Sequence, residues 1–261
     1  MREWMLSEVN YGMLKEHPYE VAVLPMGATE PHNLHLPYGT DTFQVEALAE
    51  RACELAFGQG ARVALLPAIP YGTETNLQSF PLAMNLNPST LLAVVRDLVK
   101  SLERSGLRKL VIVNGHGGND FKPLLRELHL ETPVHLFLCD WFRAISADLQ
   151  RENFAEPGEH AGEVETAFIL ACRPELVARD PKTGKLRADD GTMRPTRFDA
   201  VNRGWVSITR PWHLLTTNTG AGNPHQATPE KGRQLLETVA GRLSDFLVEL
   251  AKANLDEQFP F

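Results

Sequence analysis

The chain of 261 residues carries 26 Lys and Arg against 33 Asp and Glu, a net charge of −7, and is 43% hydrophobic. That length suits one domain over residues 1–261 with a sizeable buried core. An acidic chain without a Lys/Arg cluster excludes nucleic acid as its main partner. The three cysteines, Cys53, Cys139 and Cys172, share no framework spacing and read as buried thiols of a reducing compartment. The N-terminal "MREWMLSEVNYGMLKE" has no apolar run followed by small residues, and no apolar stretch reaches the length of a membrane span. The expectation is a cytoplasmic protein with a small-molecule substrate and no membrane partner.

In chain order, "YEVAVLPMG" is short, apolar and β-branched and ends on Pro-Met-Gly, which predicts a buried strand. Residues 42–57 place Val45, Leu48, Ala52 and Leu55 at helical spacing. "RVALLPAIPYG" predicts a second strand with a proline stop. "NPSTLLAVVRDLVKSLERSG" predicts a helix: Asn87 can cap it, Pro88 fits its first turn, Leu91, Val95, Leu98 and Leu102 form a stripe, and Gly106 ends it. "KLVIVNGHGGN" predicts a third strand running into a glycine-rich turn, residues 121–130 a helix, and "PVHLFLCD" a fourth strand. Residues 141–159 are irregular. "HAGEVETAFILAC" reads as helical, and residues 173–204 as a polar surface excursion or hairpin. The closing helix, "TPEKGRQLLETVAGRLSDFLVELAKA", carries Leu236, Val239, Leu243, Phe246 and Leu250 on one face. Alternating strand and helix specifies an α/β fold with a mostly parallel sheet and helices on both faces, where ligands bind beyond the carboxyl ends of the strands.

Three polar clusters fall near such places. "GATEPHNLHLPYGTD", Gly27 to Asp41, follows the first strand and holds Glu30, His32 and Asp41. Imidazoles and carboxylates packed together cost solvation unless a cation holds them. Carboxylate oxygen with imidazole nitrogen suits Zn²⁺, Mn²⁺ or Fe²⁺. The competing reading is a polar turn in which Asp41 caps the next helix. "NGHGGN" adds His116; it could equally be a tight turn with an exposed histidine. A phosphate cradle there would lack both GxGxxG and GxxxxGK[ST]. "HAGEVET" lets His160 and Glu165 border one cleft, with Glu163 between them, against plain helix capping with Glu163 solvated. The three clusters together offer enough groups for two metal ions and one free acid/base. His17, His129, His135, His213 and His225 have no partnered spacing and read as structural.

These segments resemble the three signatures of the creatininase (creatinine amidohydrolase) family, whose first segment reads roughly G-[AS]-x-E-Q-H-G-x-H-L-P-x-x-T-D. "TGAGNPHQATPEKG", Thr219 to Gly232, resembles that family's Gly-x-x-Gly-Asp-Pro segment. The resemblance implies a three-layer α/β/α domain and a homohexamer. It also implies two divalent metal ions (Zn, Mn or Fe), whose activated water hydrolyses C–N bonds of cyclic or small amides. Carried over by motif, Glu30 binds one ion and His32 the other, Asp41 bridges them, His116 ligates beside Glu30, and Glu165 completes the second site. His160 is then the acid/base, and His35 orients a ligand from behind it. Trp141, Trp205 and Trp212 could close over a flat substrate or simply pack.

The chain departs from the family pattern in places. Pro31 and Asn33 replace Gln and Gly, and Gly118 stands where creatininase itself has a metal-binding Glu. Leu77, Leu82 and Ala83 replace a His and a Gly-Thr pair, and Asn223 replaces an Asp. These changes leave two alternatives open: a non-catalytic metal- or ligand-binding member, or a hydrolase of a non-amide ring.

Overall fold

The computed structural model describes residues 1–261. Its elements run α1 (Tyr11–Glu16), β1 (Val21–Met26), α2 (Thr40–Gly58), β2 (Val63–Leu65), α3 (Pro88–Arg104), β3 (Lys109–Asn114), α4 (Lys122–Leu128) and β4 (His135–Asp140). Then follow α5 (Ala147–Asn153), α6 (Glu163–Cys172), α7 (Asp199–Asn202), α8 (Trp212–Leu215) and α9 (Pro229–Lys252). The four strands form one parallel sheet in the order β2-β1-β3-β4.

Strand side chains alternate between two cores, as a doubly covered sheet requires. Val21 and Val23 of β1 and Val111 and Val113 of β3 pack with α2, α6 and α9. Ala22, Leu24 and Met26, with Leu110 and Ile112, pack on the other face with Leu91, Val95 and Val99 of α3 and Leu124 and Leu128 of α4. The result is three layers, α/β/α. Every residue of β1 and β3 is buried, and apart from Lys109 and Asn114 at the two ends of β3 all are apolar.

The second strand is shorter than its apolar run. Its continuous register with β1 covers Val63–Leu65; beyond it the Leu66 N–H donates to the Val23 carbonyl at 2.9 Å, and after Pro67 pairing recurs only as a single bridge at Ile69, whose N–H donates to the Pro25 carbonyl at 3.0 Å. Asn87 sits at the start of α3 in an extended conformation, but its side chain accepts a hydrogen bond from Asn85 Nδ2 instead of capping the helix. Thr228 does cap α9, accepting from the Lys231 N–H at 3.3 Å. The buried line of α9 runs through Leu235, Val239, Leu243, Leu247 and Leu250; Leu236 and Phe246 lie half-buried at its margin. Gly232 lets α9 press against α6, since a Cβ there would lie 1.9 Å from the Ala167 carbonyl oxygen. Cys53 is buried, while Cys139 and Cys172 are half-buried. No helix is long and apolar enough to cross a membrane.

Parallel strands all end on one edge of the sheet. The segments leaving β1, β2 and β3 therefore meet there as neighbours, in the order the sheet sets.

Candidate metal centre

At that edge the structure brings Glu30, His32, Asp41, His116, His160 and Glu165 together. His32 points its Nδ1 at the Glu30 carbonyl (3.0 Å), which leaves Nε2 facing Asp41 Oδ1 at 3.2 Å, Glu30 Oε1 at 3.8 Å and Glu165 Oε1 at 4.0 Å. His116 Nδ1 lies 3.1 Å from Glu30 Oε1 and 3.0 Å from Asp41 Oδ2. His160 Nε2 donates to the Pro31 carbonyl at 3.0 Å, and its Nδ1 faces Glu30 Oε1 at 3.6 Å. Its ring lies 4.1 Å from the His32 ring and 5.1 Å from the Trp212 ring.

The backbone that holds these groups follows from local sequence. Helix α2 begins at Thr40 behind Gly39, so Asp41 falls in the first turn and its carboxylate faces the imidazoles; it is not the cap. His116 is buried, not exposed on a turn. Asn114 braces that turn, its Oδ1 accepting from the His116 N–H at 3.1 Å and its Nδ2 donating to Asp140 Oδ1 at 2.8 Å. Ala161 adopts φ +50°, an uncommon conformation for a residue with a Cβ, and its N–H donates to Glu165 Oε2 at 2.5 Å.

Two expectations need correcting or refining. Glu163, read as solvated, is fully buried: it pairs with Lys231 and accepts from the Glu156 N–H. His35 is buried but stands apart from the cluster, with Nε2 bonded to Thr166 Oγ1 at 2.8 Å, on the helix that carries Glu165. Asn33 and Leu82, which stand at positions where the family has glycine, keep positive φ values of 54° and 58°. The backbone path is thus that of a glycine, which Asn tolerates better than Leu.

Sequence reasoning missed Glu74. Its side chain is fully buried, with Oε1 3.0 Å from His116 Nε2. The available signal was an acidic residue in the segment that follows β2, the strand next to β1. Three groupings hold ligand atoms within 4.8 Å of one another: Glu30–His32–His160, Glu30–Glu74–His116 and His32–Asp41–Glu165.

Electrostatics describe a site built for cations. Glu30 Oε2, Asp41 Oδ2 and both oxygens of Glu74 are buried without a hydrogen bond, a costly state for a carboxylate. Burial would lower the His32 pKa, but Asp41 and then Glu165 and Glu30 outweigh it and raise it to about 10. His116 is likewise raised well above its usual value, against burial, by Glu30 and Glu74. Burial, then its closeness to Glu30, pushes Glu74 up to about 10. Burial alone would raise Glu30, yet His116 and His160 hold it well below the usual range. Orphaned carboxylate oxygens among imidazole nitrogens are the donor set that Zn²⁺, Mn²⁺ or Fe²⁺ takes, so these residues fit such an ion.

Gly118 has no room for a side chain. A Cβ there would lie 2.3 Å from His116 Nε2 and 2.3 Å from the Thr73 carbonyl. Gly118→Ala should therefore displace the His116 ring and cost about 1–3 kcal/mol, as overpacking does. Thermal melting checks this; an unchanged melting temperature with unchanged metal binding would count against it.

A cavity of about 380 Å³ opens over the cluster, lined in part by His116, His160, Glu165, Trp141, Phe142 and Trp212. Its size suits a small molecule. Trp141 and Trp212 are buried in its wall, while Trp205 lies on the surface, 73% exposed.

A doubly covered parallel sheet with a carboxylate–imidazole nest at its strand ends and a cavity above it defines the class: an α/β protein with a candidate divalent-metal centre beneath a small-molecule pocket. The family model for creatininase, creatinine amidohydrolase, matches residues 7–247, and the chain belongs to the creatininase family. It is 32% identical over 248 residues to the creatinine amidohydrolase of Pseudomonas putida, covering 88% of this chain and 89% of that protein. It is 29% identical over 220 residues to the mycofactocin precursor peptide peptidase of Mycobacterium tuberculosis, covering 82% and 78%. The crystal structure of a creatinine-amidohydrolase-like protein from Bacteroides fragilis superposes with a TM-score of 0.88 at 35% identity, covering 98% of this chain and all of that one.

Proposed function

We propose that this protein is a hydrolase that uses two divalent ions to cleave a C–N bond of a small cyclic amide or formamide. The observation that carries the reading is Asp41, whose two carboxylate oxygens face two different imidazoles, Oδ1 toward His32 and Oδ2 toward His116. One carboxylate between two imidazoles is the arrangement of a bridging ligand. Glu30 and His116 would hold one ion with Asp41 Oδ2. His32 and Glu165 would hold the other with Asp41 Oδ1. When bound, the ions supply a Lewis acid for the substrate carbonyl and lower the pKa of water.

The chain's own groups do the rest. His160 carries a proton at Nδ1 between the reacting centre and the leaving nitrogen, because its Nε2 is held by the Pro31 carbonyl. Trp141 and Trp212 offer flat apolar walls that exclude water from a planar substrate. His35 braces α6 through Thr166 and so steadies Glu165. Creatinine and the mycofactocin precursor peptide, the substrates in the names of two relatives, both present amide-type C–N bonds, which supports the bond class. The protein is further proposed to work as a cytoplasmic homohexamer, which sedimentation at micromolar concentration tests.

Metal analysis with a screen of cyclic amides, formamides and lactones tests the whole reading. Bound metal without turnover of any of them would favour a non-catalytic member, and turnover of lactones alone a ring hydrolase of another kind. Proton release provides a second check. The raised His32 and His116 are charged at neutral pH in the metal-free protein, and an imidazolium has no lone pair to give. Metal uptake should therefore expel protons, and apparent affinity should rise as pH climbs toward about 10 and fall as it drops. Calorimetry in two buffers of different ionisation heat measures this; uptake without proton release would contradict it.

A further inference from the structure

We infer that Glu74 is a positioning residue of His116, a buried carboxyl behind the imidazole that makes the nitrogen offered to a cation a stronger donor. The inference rests on the two-ion reading given above.

The geometry brackets one ring. Nδ1 faces Glu30 Oε1 and Asp41 Oδ2, at 3.1 and 3.0 Å. Nε2 faces the Thr73 carbonyl at 3.2 Å and Glu74 Oε1 at 3.0 Å. A cation shared with Glu30 and Asp41 would take the Nδ1 lone pair, which leaves the ring proton on Nε2, hydrogen-bonded to the Thr73 carbonyl with Glu74 Oε1 beside it. The Thr73 carbonyl alone would fix the tautomer. When ionised, the Glu74 carboxyl adds negative charge beside the ring, which increases the basicity of the far nitrogen.

The segment is locked for this task. The Thr73 N–H donates to Asn119 Oδ1 at 3.0 Å, and the Glu74 N–H to Asn85 Oδ1 at 2.7 Å. Gly118 leaves the space that the ring and the Thr73 carbonyl occupy. Yet Glu74 itself makes no side-chain hydrogen bond while fully buried. A residue kept for stability alone would not be a buried carboxylate in this condition.

The test uses the full chain, zinc as the probe and chelator competition as the readout, with Glu74→Gln keeping shape and removing charge. We expect the variant to hold the same number of ions as the wild type at saturating zinc, with one of them bound roughly 10–100-fold more weakly. With cobalt(II) in place of zinc, the absorption spectrum should change through the altered His116 donor. Unchanged affinity for both ions, or a lower metal-free melting temperature with unchanged affinity, overturns the inference. Loss of one ion even at saturation also overturns it, since Glu74 would then be a ligand. If Glu74→Gln does not fold, Glu74→Asp keeps the charge and Glu74→Ala removes it; equal affinities in that pair overturn the inference too. Wild-type protein holding fewer than two ions would defeat the two-ion reading, whereas two ions in the wild type with no effect of Glu74 would defeat this inference alone.

Discussion

Asp41→Ala protein is expected to carry almost no metal, down from about two ions per chain. Asp41 is the one carboxylate whose separate oxygens face both His32 and His116, at 3.2 and 3.0 Å. Removing it leaves each half of the centre short of a charge-neutralising ligand at once. Loss of a ligand from only one half would cost one ion; loss of the shared ligand should cost both, and hydrolysis with them. Elemental analysis of the purified variant measures the outcome, and circular dichroism checks that it folds. Full metal content in folded Asp41→Ala protein would sink the bridging assignment.

His160→Ala should give the opposite pattern. With Nε2 tied to the Pro31 carbonyl, Nδ1 is the His160 nitrogen left for the proposed proton transfer. The variant should keep its metal and lose about 10²–10⁴-fold in rate, the usual contribution of a general acid/base. One limb of the pH–rate profile should vanish with it. Glu165→Gln removes the carboxylate proposed as a ligand beside His32 and should weaken one metal site instead. The two substitutions thus predict opposite metal stoichiometries, which tests role and not merely importance. Metal lost from His160→Ala and kept in Glu165→Gln would exchange the two roles, an outcome that the Glu30–His32–His160 grouping makes a real alternative. If neither change affected any substrate turned over by the wild type, the active site would lie elsewhere.

The sequence by itself determined the layers and most of the polar cluster. The four apolar runs became the four strands; β1, β2 and β3 are buried, which demands apolar side chains on both faces, while β4 at the sheet edge is half-buried, and this local pattern survives in one dimension. Helices α2, α3 and α9 were legible from an apolar periodicity contained within each span, and α6 read as helical although it is buried nearly all round. Glu30, His32, Asp41, His116, His160 and Glu165 could be singled out because they cluster along the chain in residue types that are costly together without a cation. What those clusters do to one another was not legible. Only the tertiary structure set Asp41 between two histidines instead of at a helix cap, buried Glu163 against Lys231, and turned His35 toward Thr166. It also placed Glu74 behind His116, two residues 42 positions apart in sequence, since 116 − 74 = 42. The reason is the sheet. Parallel strands in the order β2-β1-β3 end on one edge, so the segments after them converge in space, and no periodicity within any one segment encodes which side chain of its neighbour it will meet.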